Sequence, residues 1–130
     1  MSIVGHGIDL VEVARIARMR SEHGAHFLER CFTAAERDYC LGAKREDEHL
    51  AGRFAAKEAV LKALGTGWRG QIAWTDMEII NDAAGKPELK LTGECARVAQ
   101  AAGIGRWHVS ITHVQGFAMA SAIGETARET

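Results

Sequence analysis

The sequence predicts an α+β fold, a single domain in which an antiparallel sheet packs around one long central helix. Three observations carry that prediction. Helix-forming segments dominate the first half of the chain, and two hairpin patterns with glycine in their turns dominate the second. The run Arg53-Phe54-Ala55-Ala56-Lys57-Glu58-Ala59-Val60-Leu61-Lys62-Ala63-Leu64-Gly65 has small or apolar residues on nearly every side, as a buried helix does. No linker, repeat or low-complexity stretch divides the 130 residues, a length that suits one core.

Ile3 to Leu10 is apolar and interrupted by glycine, a strand that delivers Asp9 to its end. Glu12 to His23 has good helix formers, with Val13, Ile16 and Ala17 on an apolar side and Gly24 as its stop. Thr33-Ala34-Ala35-Glu36 is a capping-box pattern that opens a helix through Leu41. The long helix spans Glu48 to Leu64, and Gly65-Thr66-Gly67 ends it. Strands at Trp74–Ile80 and Pro87–Leu91 flank the turn Asp82-Ala83-Ala84-Gly85, with Pro87 at a strand start where its missing N–H does least harm. A short helix, Glu94 to Ala102, closes at Gly103. Trp107–His113 and Phe117–Ile123 form a second hairpin around Gln115-Gly116.

Composition narrows the function classes. A net charge of −1 gives no general basic footprint for nucleic acid, although Arg15, Arg18, Arg20 and Arg30 crowd the first third. Cys31, Cys40 and Cys95 form no C-x-x-C pair and suit reduced, partly buried thiols. No secretory signal is visible, and no apolar run approaches the ~20 residues of a spanning helix. The expected setting is cytoplasmic, with no membrane.

The long helix carries the chemistry. At about 100° per residue, Lys57 falls inside the stripe of Leu50, Phe54 and Leu61, and Arg53 beside it. Glu58 and Lys62 share a lane of alanines. Charges on a buried helix need partners. Asp9 and Glu58, brought together, would repel unless a proton or cation intervened, and hard oxygen ligands of this kind suit Mg²⁺ with substrate phosphates. The same residues also fit a structural role, Asp9 capping the next helix and Glu58 pairing with Lys62 at i+4. Arg53, Lys57, Lys62 and the backbone N–H groups of Gly65-Thr66-Gly67 could hold a pyrophosphate, though helix termination explains those glycines equally well. Alternation puts His108, Ser110 and Thr112 on one strand face and His113 at the hairpin end, where it can reach a ligand. Ser110 lacks a G-x-S-x-G elbow, which leaves hydrolase chemistry without support.

Gly7-Ile8-Asp9-Leu10, Phe32-Thr33 with Glu36, Ala51-Gly52-Arg53-Phe54-Ala55-Ala56-Lys57-Glu58-Ala59 with Lys62 and Gly65-Thr66-Gly67, Gly85-Lys86-Pro87, and His108-Val109-Ser110-Ile111-Thr112-His113 follow one another in an order and spacing that resembles the holo-[acyl-carrier-protein] synthases, the small bacterial 4'-phosphopantetheinyl transferases. The resemblance spans residues 3 to 123. It implies that coenzyme A donates its 4'-phosphopantetheine arm to a serine of apo acyl carrier protein, in the service of fatty-acid synthesis, leaving adenosine 3',5'-bisphosphate. It implies Mg²⁺ on Asp9 and Glu58, with Glu58 helping to deprotonate the serine directly or through a water. Arg53, Lys62, Gly65 and His113 match positions around coenzyme A, and Arg15 and Met19 match positions where the carrier protein docks. Charge alone adds Arg18 and Arg20 to that docking face. The resemblance further implies a homotrimer with active sites shared between subunits. Lys57 belongs to the motif without an evident ligand; a structural salt bridge is its expected role. A different coenzyme A enzyme, such as an acyltransferase, would need the thioester at the metal. A purely binding module would have no need of Asp9, Glu58 and Lys62 together.

Overall fold

The computed structural model describes residues 2–65 and 71–127. Strand β1 (Ile3–Glu12) runs directly into helix α1 (Val13–Cys31), followed by α2 (Ala34–Leu41) and α3 (Glu46–Leu64). A 3-10 turn (Trp74–Asp76) leads into β2 (Met77–Asn81) and β3 (Pro87–Leu91). Helix α4 (Gly93–Ala101), β4 (Ile104–Val114) and β5 (Phe117–Thr126) are the last elements among the described residues. Strands β1, β5 and β4 form an antiparallel sheet in that order, and β2 with β3 forms a separate hairpin. The predicted α+β class and the sheet on a long helix both stand.

Several boundaries differ from expectation, β4 for one starting at Ile104 and β5 running on to Thr126, and three of the differences have clear local reasons. Gly24 does break the first helix, with φ 52 and ψ −130, a backbone shape open chiefly to glycine. Helical residues nevertheless resume after it and run to Cys31, because Phe27 and Cys31 have core to bury against. Trp74–Asp76 is a tight turn rather than strand: the Asp76 carboxylate accepts from the N–H groups of Ala73 and Cys95 and pins the chain there. Helix α3 starts at Glu46, two residues early, with Glu46, Asp47 and Glu48 favourably placed at its positive end.

From Leu50 to Leu61 every residue of α3 except Glu58 is buried. Sequestering Leu50, Phe54 and Leu61 contributes about 1.5–3 kcal/mol each. The helix crosses the sheet diagonally. Near its start Gly52 lies against Ile111 and His113 of β4, and near its end Ala59 and Ala63 lie against Gly7 and Gly5 of β1. Between them β5 presents the small residues Ala118, Ala120 and Ala122. The opposite face of the sheet is uncovered and apolar, with Ile8, Leu10, Val114, Phe117 and Met119 exposed.

Candidate active site

Residues 5, 7, 9 and 11 of β1 share the face that meets α3. An ideal Cβ on Gly7 would stand 1.9 Å from the carbonyl oxygen of Ala59, and one on Gly5 would stand 2.0 Å from that of Ala63. Only glycine at both places lets strand and helix approach backbone to backbone, and that approach carries Asp9 to the helix. The Lys62 ammonium donates to Asp9 Oδ1 at 2.9 Å and to the Ile8 carbonyl at 3.0 Å, while its side chain stays 54% exposed. The structural alternative is thereby corrected. Asp9 lies inside β1 and does not cap α1, whose N-cap is Glu12 without a side-chain bond, and Lys62 pairs with Asp9 rather than with Glu58.

Glu58 makes no hydrogen bond or ion pair among the described residues. Burial, then the Asp9 carboxylate, raises its pKa from the ordinary value against the pull of Arg15 and Lys62. A half-buried carboxylate held beside a second one is what a hard divalent cation would relieve. The donor set therefore fits Mg²⁺ on Asp9 and Glu58, the remaining ligands being water or substrate oxygens.

About 140° around α3 from Glu58, Arg53 points to the β4 side. It lies over the Tyr39 ring at 4.3 Å and donates to Asn81 Oδ1 at 3.2 Å. With Tyr39, His49, Asn81, Pro87 and His113 it lines a pocket of about 160 Å³. Among the described residues, the two buried side-chain polar atoms without a hydrogen bond, Arg53 Nε and His113 Nε2, both belong to residues of this pocket. His113 thus does face a concavity, whereas His108, Ser110 and Thr112 lie on the uncovered face of the sheet, His108 bonded to Glu125 at 2.9 Å.

A second concavity, of about 570 Å³, lies between α1 and α3. Arg15, Met19, His23, His26 and Arg30 line one side, and Phe54, Glu58 and Trp74 the other. Arg15 also sets its guanidinium 5.5 Å from the Phe54 ring centroid. Arg20 is not available there as charge alone suggested, because it pairs with Glu46 and Asp47 of α3.

Gly65 closes α3, its N–H bonded to the Leu61 and Lys62 carbonyls, so that N–H is not an open phosphate donor. Thr66 and Gly67, expected to add donors, lie outside the described residues. Lys57 has the structural role expected of it. Its ammonium, wholly buried, donates to Glu36 Oε1 at 2.6 Å and to the carbonyls of Cys31 and Trp74. The three cysteines are free and buried, and burial pushes the Cys40 and Cys95 thiols up to about 11, which leaves them poor nucleophiles. Sequence reasoning missed Tyr39, His49 and Asn81, which no motif marks, and missed Glu36 as the partner of Lys57. The capping box contained that glutamate but explained it locally.

The family model described as the 4'-phosphopantetheinyl transferase superfamily matches residues 5–120. The holo-[acyl-carrier-protein] synthase of Geotalea daltonii is 46% identical over 123 residues, 95% of this chain and 98% of that protein. The one from Halothermothrix orenii is likewise 46% identical with the same coverage. The crystal structure of holo-[acyl-carrier-protein] synthase from Neisseria meningitidis matches with a TM-score of 0.88 at 34% identity, over 96% of this chain and 100% of the other. A Bacillus anthracis holo-(acyl-carrier-protein) synthase in complex with CoA (3',5'-ADP) matches at 0.79 and 40% identity, over 96% and 98%. The chain belongs to the holo-[acyl-carrier-protein] synthase family of 4'-phosphopantetheinyl transferases.

Proposed function

We propose that this chain transfers the 4'-phosphopantetheine arm of coenzyme A to a serine of apo acyl carrier protein, with Mg²⁺ held by Asp9 and Glu58 and adenosine 3',5'-bisphosphate released. The observation that carries this reading is the Asp9–Glu58 pair: two carboxylates in mutual repulsion, one without a hydrogen bond or ion pair among the described residues, beside the exposed ammonium of Lys62. The names of the relatives support the acceptor, and the Bacillus anthracis complex with CoA supports the donor.

Mg²⁺ on those carboxylates would neutralise pyrophosphate charge and stabilise the departing bisphosphate. The chain's own residues supply the rest. Lys62 offers a cation to the pyrophosphate, its position fixed by Ile8 and Asp9. Glu58 accepts the serine proton, directly or through a water, and its raised proton affinity suits a base working near neutral pH. A bond forms between the serine Oγ and the phosphorus of the pantetheine arm as the bond from that phosphorus to the bisphosphate breaks. Arg53 and His113 bind the donor's other anionic end, and Gly65, exposed beyond Lys62, leaves the donor room. The acceptor docks over Arg15 and Met19, because Glu58 stands in the wall of the same 570 Å³ concavity.

Within one chain the metal pair and the Arg53–His113 pocket open on different sides of α3. That arrangement, together with the bare apolar sheet face, supports a homotrimer in which each site combines residues of two subunits. A cytoplasmic setting is consistent with the three free thiols, and among the described residues no helix is long and apolar enough to cross a membrane. Incubation with coenzyme A, Mg²⁺ and apo carrier protein, followed by mass spectrometry of the carrier, tests the activity. Unchanged mass across several carriers would refute it. Light scattering tests the trimer, and mixing Glu58→Gln with Arg53→Ala subunits should restore part of the lost activity if sites are shared.

A further inference from the structure

Transfer as just described gives His49 no role, yet its ring is built into the donor pocket. It stands edge-on to Tyr39, with centroids 5.5 Å apart and planes at 86°. It meets His113 at 6.2 Å and 70°. Tyr39, His49, Arg53, Asn81 and His113 line one concavity, and two atoms of these residues, Arg53 Nε and His113 Nε2, are buried without a hydrogen-bond partner among the described residues. An anionic group with several acceptor oxygens suits a concavity lined by the Arg53 guanidinium and by hydrogen-bonding side chains such as these.

The chemistry of coenzyme A says which group that is. Its pyrophosphate belongs with Asp9, Glu58 and Lys62 on the other side of α3, and the anion left over is the phosphomonoester on the ribose. Such a group carries about −1.5 to −2 charges near pH 7, its second pKa being about 6.

The groups facing His49 are Arg45, Glu48 and Arg53 from α3 and its N-cap, Tyr39 from α2 and His113 from β4. Burial first, then the Arg53 and His113 charges, lower the His49 pKa from its ordinary value, and only Glu48 opposes them. A phosphate dianion bound near Arg53 and His113 would oppose that field at the His49 ring and favour its protonated form.

We propose, resting on the coenzyme A reading above, that His49 is a proton-linked specificity residue: it takes up a proton as the phosphomonoester enters the pocket, and so adds a cation only when that group is present. The site then prefers coenzyme A over 3'-dephospho-coenzyme A by more than Arg53 and His113 alone would give. The preference grows as pH falls from 8.5 toward 6, the range over which imidazole changes charge.

Titration calorimetry of the 130-residue protein, in two buffers of different ionisation enthalpy at each pH, measures protons bound with the ligand. With coenzyme A at pH 7 the wild type should take up a substantial fraction of a proton per site, and with 3'-dephospho-coenzyme A clearly less. His49→Phe keeps an edge-on aromatic ring but cannot titrate. It should lose most of the difference in uptake between the two ligands and bind coenzyme A roughly three- to tenfold more weakly at pH 6, as expected for one lost charge-assisted contact. It should match the wild type at pH 8.5 and bind the dephospho ligand equally at both. The phosphate's own titration is common to both proteins and cancels from that comparison. Should His49→Phe fold poorly, His49→Gln is held to the same outcomes. Unaltered proton uptake and pH profile in a variant that still transfers would overturn this proposal alone, because the proton would then reside on His113 or the ligand. A wild type that does not bind coenzyme A overturns it together with the reading beneath it.

Discussion

Lys57→Met deletes an ammonium while keeping most of the apolar stem, and the structure allows its cost to be worked out. The Lys57 and Glu36 side chains are both 0% exposed, with Nζ 2.6 Å from Oε1. The same ammonium serves the Cys31 carbonyl at 2.7 Å and that of Trp74 at 3.2 Å, and lies 5.3 Å from the Phe32 ring centroid. Without it Glu36 keeps two N–H donors, from Thr33 and Ile79, but remains an uncompensated buried charge. Removing one member of such a pair costs about 3–5 kcal/mol, and each stranded carbonyl about 1–3 kcal/mol. These terms share one ammonium and do not add in full, so a loss of about 4 kcal/mol is expected. With a urea m-value of ~2 kcal/mol/M, the midpoint falls by about 2 M. That is a large part of the ~5–15 kcal/mol that holds a typical domain together. Urea unfolding followed by circular dichroism measures the shift. Adding Glu36→Gln removes the stranded charge and keeps one carbonyl acceptor, enough for the N–H of Thr33 or of Ile79 but not both. Each single variant strands a buried charge that the double does not, so the double variant should be less destabilised than the sum of the singles. A Lys57→Met midpoint within ~0.5 M of wild type, or strictly additive singles, would refute the account.

Glu58→Gln should fold and lose transfer, and its stability should depend on pH. A raised folded pKa means the native state holds the proton more tightly than the unfolded chain, so Glu58 costs stability progressively as pH rises from about 4.3 through the folded value. The metal-free variant should therefore melt above wild type at pH 7.5 and converge with it near pH 4; a lower Tm at pH 7.5 would contradict the burial and repulsion assigned to Glu58. Gly7→Ala puts a methyl 1.9 Å from a helix backbone oxygen, which no rotamer can relieve, and should cost more than the ~1–3 kcal/mol of ordinary overpacking, read by the same urea titration. Gly52→Ala meets only the side chains of His113 (2.7 Å to Nε2) and Ile111 (3.0 Å); steady-state kinetics should show a folded enzyme whose KM for coenzyme A rises severalfold while its KM for the carrier stays put.

The parts legible in the sequence are those set by local chemistry. Thr33 and Glu36 form the capping box as read, each bonding the other's N–H, and the small residues of α3 announced a helix covered on all sides. Asp9 and Glu58 could be named as a pair, but not the reason they meet, which is that Gly5 and Gly7 share a strand face and so admit the helix backbone. Partner choice was the least legible. Helical spacing joins Glu58 to Lys62, yet the tertiary approach of β1 gives Lys62 to Asp9. Glu36 completes a local cap and at the same time neutralises a lysine 21 residues away and accepts from Ile79 of β2. The Arg53 pocket draws Tyr39, His49, Asn81 and His113 from α2, α3, β2 and β4, and no periodicity within one element marks such a set.

The pairing pattern also explains how the stretch of α3 from Arg53 to Lys62 can carry four charges and still leave one of them unpaired among the described residues. Every cation on α3 that could have neutralised Glu58 is committed elsewhere: Lys57 points into the core to Glu36, Arg53 turns to Tyr39 and Asn81, and Lys62 reaches across to Asp9. Helical geometry alone would favour a Glu58–Lys62 contact worth about 0.2–0.5 kcal/mol. The structure forgoes it, and instead leaves Glu58 half-buried next to a like charge, a net cost to folding. Under the proposed function, a cation and an anionic substrate bound there would recover that cost. The same accounting makes Lys57 indispensable without touching the reaction. If its ammonium were missing, the buried Glu36 would be a second uncompensated carboxylate against α3, and a helix already strained by Glu58 would have to carry both.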